Sequence, residues 1–306
     1  MTHEDLPSDV VFLERGWLNS NTTLLLGPKA VVIDSGYHQH APQLVSLIEH
    51  ELGIQAPAQL INTHLHSDHC GGNQTLQHHW PQIETFIPKS IFESTCQWDP
   101  KQLTFELTGQ ECPKFQAQGG LLDGQVLKIN SRTWEIHNTL GHHADSFVLF
   151  APQERLLISA DTLWEDGFGV LFDEFVTGSG FEAQEKTLHL IESLKPRWVL
   201  PGHGRAFNTV TAALKRAYSR LEYWQNSPQQ HAQHAALVMI KFHLMVVESI
   251  QWDQLLTWAR SVPLLKSIHN EMDCEEEFND WILKRLESLV NKNAAEYSQG
   301  LVRNRY

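Results

Sequence analysis

Residues 63–72, THLHSDHCGG, gather His64, His66, Asp68 and His69 into six positions, directly after Leu60, Ile61 and Asn62. On extended backbone alternate side chains point the same way, so His64 and His66 can share one space at a strand tip. Asp68 and His69 then lie on the turn beyond, beside that pair and displaced from it. Three imidazoles and a carboxylate in one loop suit zinc or a similar borderline cation. A histidine-rich surface loop is the plain alternative in a chain with 18 His. At the chain's own His and Asp frequencies, H-x-H-x-D-H arises by accident in roughly a few sequences per thousand, so the metal reading is preferred. Cys70, entering the turn into Gly71 and Gly72, reads as a small buried residue rather than a ligand.

One such loop leaves coordination positions open, and three more donors stand at the carboxyl ends of apolar runs. His142 follows Gly141 after the strand-like residues 134–140, with His143 competing for the same role. Asp161 ends LLISA, and His203 sits in LPGHG after residues 198–200. Each has a glycine nearby to permit a sharp turn. Five His and two Asp exceed one tetrahedral ion and divide into a dinuclear site. His64, His66 and His142 would hold one ion, Asp68, His69 and His203 the other, and Asp161 would bridge them. Two cations about 3.5–4 Å apart can share a hydroxide and polarise a carbonyl or phosphoryl oxygen. Zinc-bound water, with a pKa of about 7, is a nucleophile at neutral pH. Asp68, with a free oxygen beside that hydroxide, is the expected catalytic proton carrier. Asp34 closes the apolar run AVVI at the same sheet edge; it reads equally as a turn carboxylate or as an outer acceptor that orients an imidazole.

These donors need strands to deliver them and helices to cover the strands. Residues 10–36 read as short strands with turns, and 42–52 as an amphipathic helix stopped by Gly53. Residues 59–62 form the strand that ends in the metal loop. A short helix ends near Pro81, with His78 and His79 facing away from the site. A strand at 84–87 and a helix from about Pro88 follow. Residues 99–120 form a long irregular connection, a candidate lid. Strands resume over 125–159, so two mostly β stretches, each followed by helices, suggest two sheets packed face to face with helices outside. From about residue 208 strand signals vanish. Helical spacing then recurs over 210–224, 231–247, 252–260 and 276–290, and the acidic run 273–278 suits a helix N-terminus. The expected division is 1–207 for the sandwich and 208–306 for a helical region covering or flanking the cleft.

A length of 306 residues allows a full core, and the 42% hydrophobic content is that of a globular protein. The net charge of −13 argues against phosphate-backbone binding, which needs clustered Lys and Arg. The start MTHEDLPSDV lacks a signal-peptide core, and no apolar run reaches membrane length. The 4 Cys have no framework spacing, so a reduced, cytoplasmic setting is expected. The expected partner is a small-molecule substrate rather than nucleic acid or membrane, and a homodimer is compatible with the sequence.

THLHSDHCGG, TLGHHADS, ISADTLW and LPGHG, in this order, resemble the metallo-β-lactamase superfamily over roughly residues 10–207. The resemblance implies an α+β fold, a four-layer αββα sandwich with a dinuclear site at the sheet edge, followed here by a C-terminal helical extension. It also favours His142 over His143 as the ligand. True β-lactamases of this fold place Cys or Ser where Asp161 stands, which disfavours that activity. Flavodiiron proteins have Glu where this chain has His66. Glyoxalase II-type enzymes, lactonases and RNase Z-like phosphodiesterases resemble the chain in all seven ligands, although LPGHG departs from the glyoxalase II form of the last motif. The implied cofactors are two divalent ions, zinc first, with iron or manganese as alternatives. The implied reaction is hydrolysis of a small ester, thioester or lactone. A phosphodiesterase would want more basic residues than Lys195, Arg197 and Arg205. A mononuclear-iron oxidoreductase resembling the persulfide dioxygenases would not need Asp68 and His203, and a metal-retaining regulatory protein is the remaining alternative. Trp164, Phe168 and Phe172, with Phe175 and Phe181, follow Asp161 and are candidates for an apolar substrate pocket. Packing of the later helices is the competing explanation for them.

Overall fold

The computed structural model describes residues 6–99, 102–272 and 276–306. In chain order, β1 (Val10–Leu13), β2 (Thr22–Leu25) and β3 (Val31–Ile33) precede α1 (Ala41–Leu52) and β4 (Gln59–Ile61). The one-turn helix α2 (Ser67–Cys70), α3 (Asn73–His79), β5 (Glu84–Pro88), α4 (Phe92–Gln97), α5 (Phe105–Thr108) and β6 (Gly119–Leu121) follow. Next come β7 (Val126–Ile129), β8 (Arg132–Asn138), β9 (Phe147–Ala151), β10 (Leu156–Ala160), α6 (Phe172–Thr177), α7 (Gly180–Leu194) and β11 (Trp198–Pro201). The remainder is α8 (Val210–Asn226), α9 (Pro228–Val247), β12 (Ser249–Gln251), α10 (Trp252–Ser261), α11 (Pro263–Glu271), α12 (Phe278–Asn291), β13 (Ala295–Ser298) and β14 (Leu301–Asn304).

β1 to β6 form one sheet in sequence order, antiparallel through β3 and parallel from β3 to β6. A second sheet runs β11-β10-β9-β8-β7, with β10 and β11 parallel and the other pairs antiparallel. The alternation of side chains explains how the two sheets come together. Val31, Ile33 and Ile61 of the first sheet join Trp134, Ile136, Phe147, Leu149, Ile158 and Leu200 of the second in one core. The intervening Val32 and Leu60 point the other way and pack under Leu44 and Ile48 of α1 and Leu76 of α3. β9 and β10 are buried along their whole length, as strands covered on both faces must be. α7 supplies part of that cover through Leu188 and Ile191, while its Gln184 donates to the Thr162 carbonyl and Thr187 to that of Leu140. Helix, sheet, sheet and helix therefore form the expected four-layer αββα arrangement.

β8, β10 and β11 run in one direction, as do β3, β4 and β5, so their carboxyl ends each gather at one edge of their sheet. Hydrogen bonds that cross between the sheets hold those edges in register. Phe147 N–H donates to the Thr63 carbonyl (3.1 Å) and Asn21 N–H to that of Gly202 (2.6 Å). The Asn21 side-chain amide adds bonds to the Pro201 and Gly204 carbonyls, so the loop carrying His203 is clamped to the first sheet.

By internal contacts the chain divides into one unit of residues 1–103 and 111–221 and a second of 104–110 and 222–306. This differs from a boundary at 207/208, because periodicity marks where strands stop but not which neighbours the first turns of α8 have. The second unit is also not purely helical: β12, β14 and β13 form a three-stranded antiparallel sheet. Its strands of three or four residues are too short to register against the surrounding helical pattern. Of the acidic run, 273–275 lies outside the described residues, and Glu277 stands at the N-cap position of α12 without a side-chain capping bond. The 99–120 connection, expected to be structureless, contains α5 and ends in β6. Its described residues 114–118 are tied to α3 and β5: Gln74 donates to the Lys114 carbonyl, Gln77 exchanges two bonds with the Gln116 backbone, and Gln118 accepts from Thr85 N–H.

Candidate metal centre

Each donor sits where a strand ends and the backbone turns sharply. Asp34, one residue past β3, has φ +60, a strained conformation for a non-glycine residue. It is held there by its N–H donating to the Ile61 carbonyl (2.9 Å). Beyond β4 the chain places His64 and His66, then coils into α2 with Asp68 and His69 on its single turn. β10 ends in an irregularity between Ile158 and Ala160, and Ala160 has φ +47, which turns Asp161 inward. Gly141, at φ +113, provides the turn before His142. Gly202, beside His203, leaves room that a side chain would take: a methyl there would overlap the Asp161 carboxylate.

The seven donors form two buried groups, His64, His66 and His142 in one and Asp68, His69, Asp161 and His203 in the other. Within each group the facing donor atoms all lie within 4.8 Å of one another. His66 Nδ1 stands 3.1 Å from His64 Nε2 and 2.9 Å from His142 Nε2. His203 Nε2 lies 3.1 Å from Asp68 Oδ2, and His69 Nε2 lies 3.4 Å from Asp161 Oδ1. Asp161 Oδ2 is 3.4 Å from His142 Nε2 and 3.6 Å from His203 Nε2, so one carboxylate reaches both groups.

The surrounding hydrogen bonds decide which ring nitrogens carry lone pairs. Asp34 can only accept, and its Oδ2 lies 2.7 Å from His69 Nδ1, so that nitrogen bears the proton and Nε2 faces inward. Asp34 also accepts from Thr63 N–H and from the Thr63 hydroxyl, both at 2.8 Å. With its hydrogen spent there, Thr63 Oγ1 accepts from His64 Nδ1 (3.2 Å), leaving His64 Nε2 as a lone pair. His142 Nδ1 donates to the Val170 carbonyl (2.6 Å), with the same result. Asp34 thus orients two imidazoles, one directly and one through Thr63.

Charge leads to the same conclusion for the first group. Burial pushes His64, His66 and His142 below the usual imidazole range, which keeps them neutral as ligands must be. For His69 burial works against charge, but Asp161 and Asp34 outweigh it and raise its pKa. Asp161 is the reverse case: burial alone would raise its pKa, yet His203, His69 and His142 hold its carboxyl well below the usual range. Of the two carboxylates, Asp34 lies against His69 Nδ1 and Asp161 on the side its Nε2 faces, where it favours positive charge. That nitrogen is buried without a hydrogen-bond partner. Inward-facing lone pairs and a carboxylate shared between two groups are a donor set that fits divalent cations.

His143 is buried at 5% exposure, its ring 4.8 Å from that of His66. Its Nδ1 accepts from Asp145 N–H (3.0 Å), and burial pushes its pKa down to about 3. Around the donors, Phe172 lies edge-on to His66 and His142, and Trp164 lies edge-on to His203 while its Nε1–H donates to Asp161 Oδ1. Phe168 is instead 1% exposed, under the Arg220 guanidinium, so it is packing rather than pocket lining. Sequence reasoning missed Trp17, which is 60% exposed yet stacked flat on His203 at 5.2 Å and edge-on to Trp164 at 5.6 Å. It also missed Thr63 and Asn21. Lys195 and Arg197 precede β11 and so stand at the opposite end of that strand from His203, leaving Arg205 alone of the three nearby. His78 and His79 lie on α3, outside both groups, and His79 pairs with Glu49 at the surface.

Residues 15–203 match the family model described as the metallo-beta-lactamase superfamily. The chain belongs to that superfamily. A beta-lactamase domain protein from Burkholderia ambifaria superposes with a TM-score of 0.56 at 18% identity, over 98% of this chain and 96% of that one. A hydroxyacylglutathione hydrolase from Prochlorococcus marinus (strain MIT 9312) is 29% identical over 47% of this chain and 49% of its own length. An atrochrysone carboxyl ACP thioesterase from Aspergillus chevalieri is 28% identical over 51% of this chain and 44% of its own. The chain spans about half the length of these curated relatives.

Proposed function

We propose that this superfamily member is a metal-dependent hydrolase that cleaves a small thioester, with esters and lactones as neighbouring substrates. The observation that carries the reading is the Asp161 carboxylate, which reaches both donor groups: Oδ2 faces His142 and His203, and Oδ1 faces His69. Similarity to proteins named as a hydroxyacylglutathione hydrolase and a thioesterase supports the thioester class. The net charge of −13 supports a small substrate over nucleic acid.

His64, His66 and His142 would hold one divalent ion, and Asp68, His69 and His203 a second, with Asp161 between them. Zinc suits this mix of imidazole and carboxylate best, iron and manganese being alternatives. Bound there, the ions would supply Lewis acidity and a water acidic enough to attack at neutral pH. The chain's own residues do the rest. Asp68 is the most exposed of the seven donors at 8%, and its carboxylate takes up the proton of the attacking water. Asp34 and Thr63 keep His64 and His69 in the tautomer that presents a lone pair. Trp17, Trp164 and Phe172 border the donors and give an acyl chain an apolar wall that excludes water.

The test is elemental analysis of protein purified without added metal, followed by a panel of thioesters, lactones and phosphodiesters. Two equivalents of zinc, manganese or iron and thioester cleavage, both reduced in D161A, are expected. Phosphodiester cleavage alone, or a single iron with oxygen consumption, would replace this reading with another.

A further inference from the structure

Cys70 and Cys112 are both free thiols, yet their sulfurs stand 3.7 Å apart. Cys70 is fully buried as the last residue of α2, the turn that also carries Asp68 and His69. Cys112 comes from the connection between α5 and β6 and is half-buried, so a small oxidant can reach it where it cannot reach Cys70. From this juxtaposition we infer that Cys70 and Cys112 are a redox-modification site: a thiol pair that closes reversibly into a disulfide and staples the connection to the metal loop.

Hydrogen peroxide suffices as oxidant. The Cys112 sulfur attacks one peroxide oxygen, the O–O bond breaks, a water leaves and Cys112 becomes a sulfenic acid. The Cys70 sulfur then attacks the Cys112 sulfur, the S–O bond breaks and a second water leaves. Two thiols lose two protons and two electrons, and one peroxide becomes two waters. An external dithiol reverses the change by exchange.

A disulfide needs sulfurs about 2.05 Å apart, so the pair must close by about 1.7 Å, and one side has to move. α2 is the fixed side. Its Asp68 carbonyl accepts from Ser20 N–H, and its His69 carbonyl from Ser35 N–H and the Asn62 amide. Behind it Gly71 and Gly72 press against the backbone of Ser67, His38 and Ser35 with no space for a Cβ. Residues 111–113 are the yielding side: Glu111 is exposed, and its carboxylate stands 4.0 Å from His38 Nε2, beyond hydrogen-bond distance. The Asp68 and His69 positions are therefore kept while the connection is drawn in.

The experiment treats the full-length, metal-loaded protein with stoichiometric hydrogen peroxide, alkylates the remaining thiols and maps the peptides. A Cys70–Cys112 linked peptide that dithiothreitol releases is expected, with the metal content unchanged. In C70S the link is absent, and Cys112 is trapped by a sulfenic-acid reagent such as dimedone. If Cys112 is still alkylated when the exposed Cys96 has been oxidised, or passes to the sulfinic acid with no link, the site does not exist. If the linked protein sheds metal, α2 rather than the connection has moved and the staple is misassigned. Only this last arm rests on the hydrolase reading; the linked peptide is read by mass alone, so the two can fail separately.

Discussion

Replacing Asp34 by Asn changes almost no volume but removes the group that sets two tautomers. Asp34 is 3% exposed and accepts three bonds, from Thr63 N–H, the Thr63 hydroxyl and His69 Nδ1–H. If the Asn oxygen keeps the Thr63 N–H bond, its NH₂ replaces the oxygen that faces Thr63 Oγ1 and His69 Nδ1. Donor then meets donor. His69 escapes by moving its proton to Nε2, which aims an N–H at Asp161 Oδ1, 3.4 Å away, in place of a lone pair. Turning the amide over only shifts the conflict to Thr63 N–H. Loss of such an outer acceptor weakens metal binding by about 10–100-fold, or roughly 1.4–2.7 kcal/mol. The loss falls first on the His69 group: an ion held there should be released first in a titration with a chromogenic chelator, and one held by the His64 group after it. Thr63→Val is the companion variant. It deprives His64 Nδ1 of its acceptor and should weaken the other group first. Nitrogen NMR of the two rings reads the tautomers directly. D34N protein that holds both equivalents at wild-type affinity, with His69 still protonated on Nδ1, would falsify the proposed relay.

Three further outcomes follow from single side chains. Gly202→Ala places a methyl on the Asp161 carboxylate and near His69, so a displacement of Asp161 approaching 1 Å is expected, with turnover down about 10²-fold and the fold intact by circular dichroism. Unchanged turnover would mean that Asp161 tolerates displacement. Trp17→Ala removes an exposed ring, so stability should hold while KM rises several-fold for long-chain or aromatic thioesters and little for acetyl thioesters; an equal change for both would remove Trp17 from the substrate wall. In the second unit burial depresses His231 to about 3 and His243 to about 4. Stability that depends on these rings staying neutral is complete above pH 6.5 and is lost as pH falls, because the unfolded chain takes up protons the folded one refuses. At pH 5 the cost is about 2 kcal/mol for His231, and H231L should remove that share of the loss between pH 7 and 5 in urea unfolding. An unaltered slope would show that His231 is not the group responsible.

The donors were legible because chemistry of this kind concentrates its signal locally. His64 to His69 lie in one loop, and His142, Asp161 and His203 each follow an apolar run, with Gly141 before the first and Gly202 before the last, which strand geometry turns into convergence at one edge. The choice of His142 over His143 needed the family resemblance. In the fold Gly141 turns His142 so that Nδ1 meets the Val170 carbonyl, whereas His143 Nδ1 is taken by Asp145 N–H. Whatever depends on the second sheet meeting the first was not legible. Trp17 lies on the β1–β2 loop and nothing around it announces His203; Asn21 clamps a loop from the far end of the same unit. Phe168 and Phe172 illustrate the same limit at short range. They are four residues apart in one aromatic run, but the Arg220 guanidinium from α8 covers the first while the second lies against His66.

Thr63 shows how the two kinds of information combine. By sequence it is only the residue before the first histidine, and its β-branched side chain suits the end of a strand. In the fold it donates to Asp34 from both its backbone N–H and its hydroxyl, and the same oxygen accepts from His64. One carboxylate just past β3 thereby orients imidazoles in both donor groups. The two donor groups are consequently linked through Asp34 and Thr63 as well as through Asp161. Disturbing Asp34 should therefore lower the affinity of both, in the order His69 group first and His64 group second. A site built from two independent triads would lose only one.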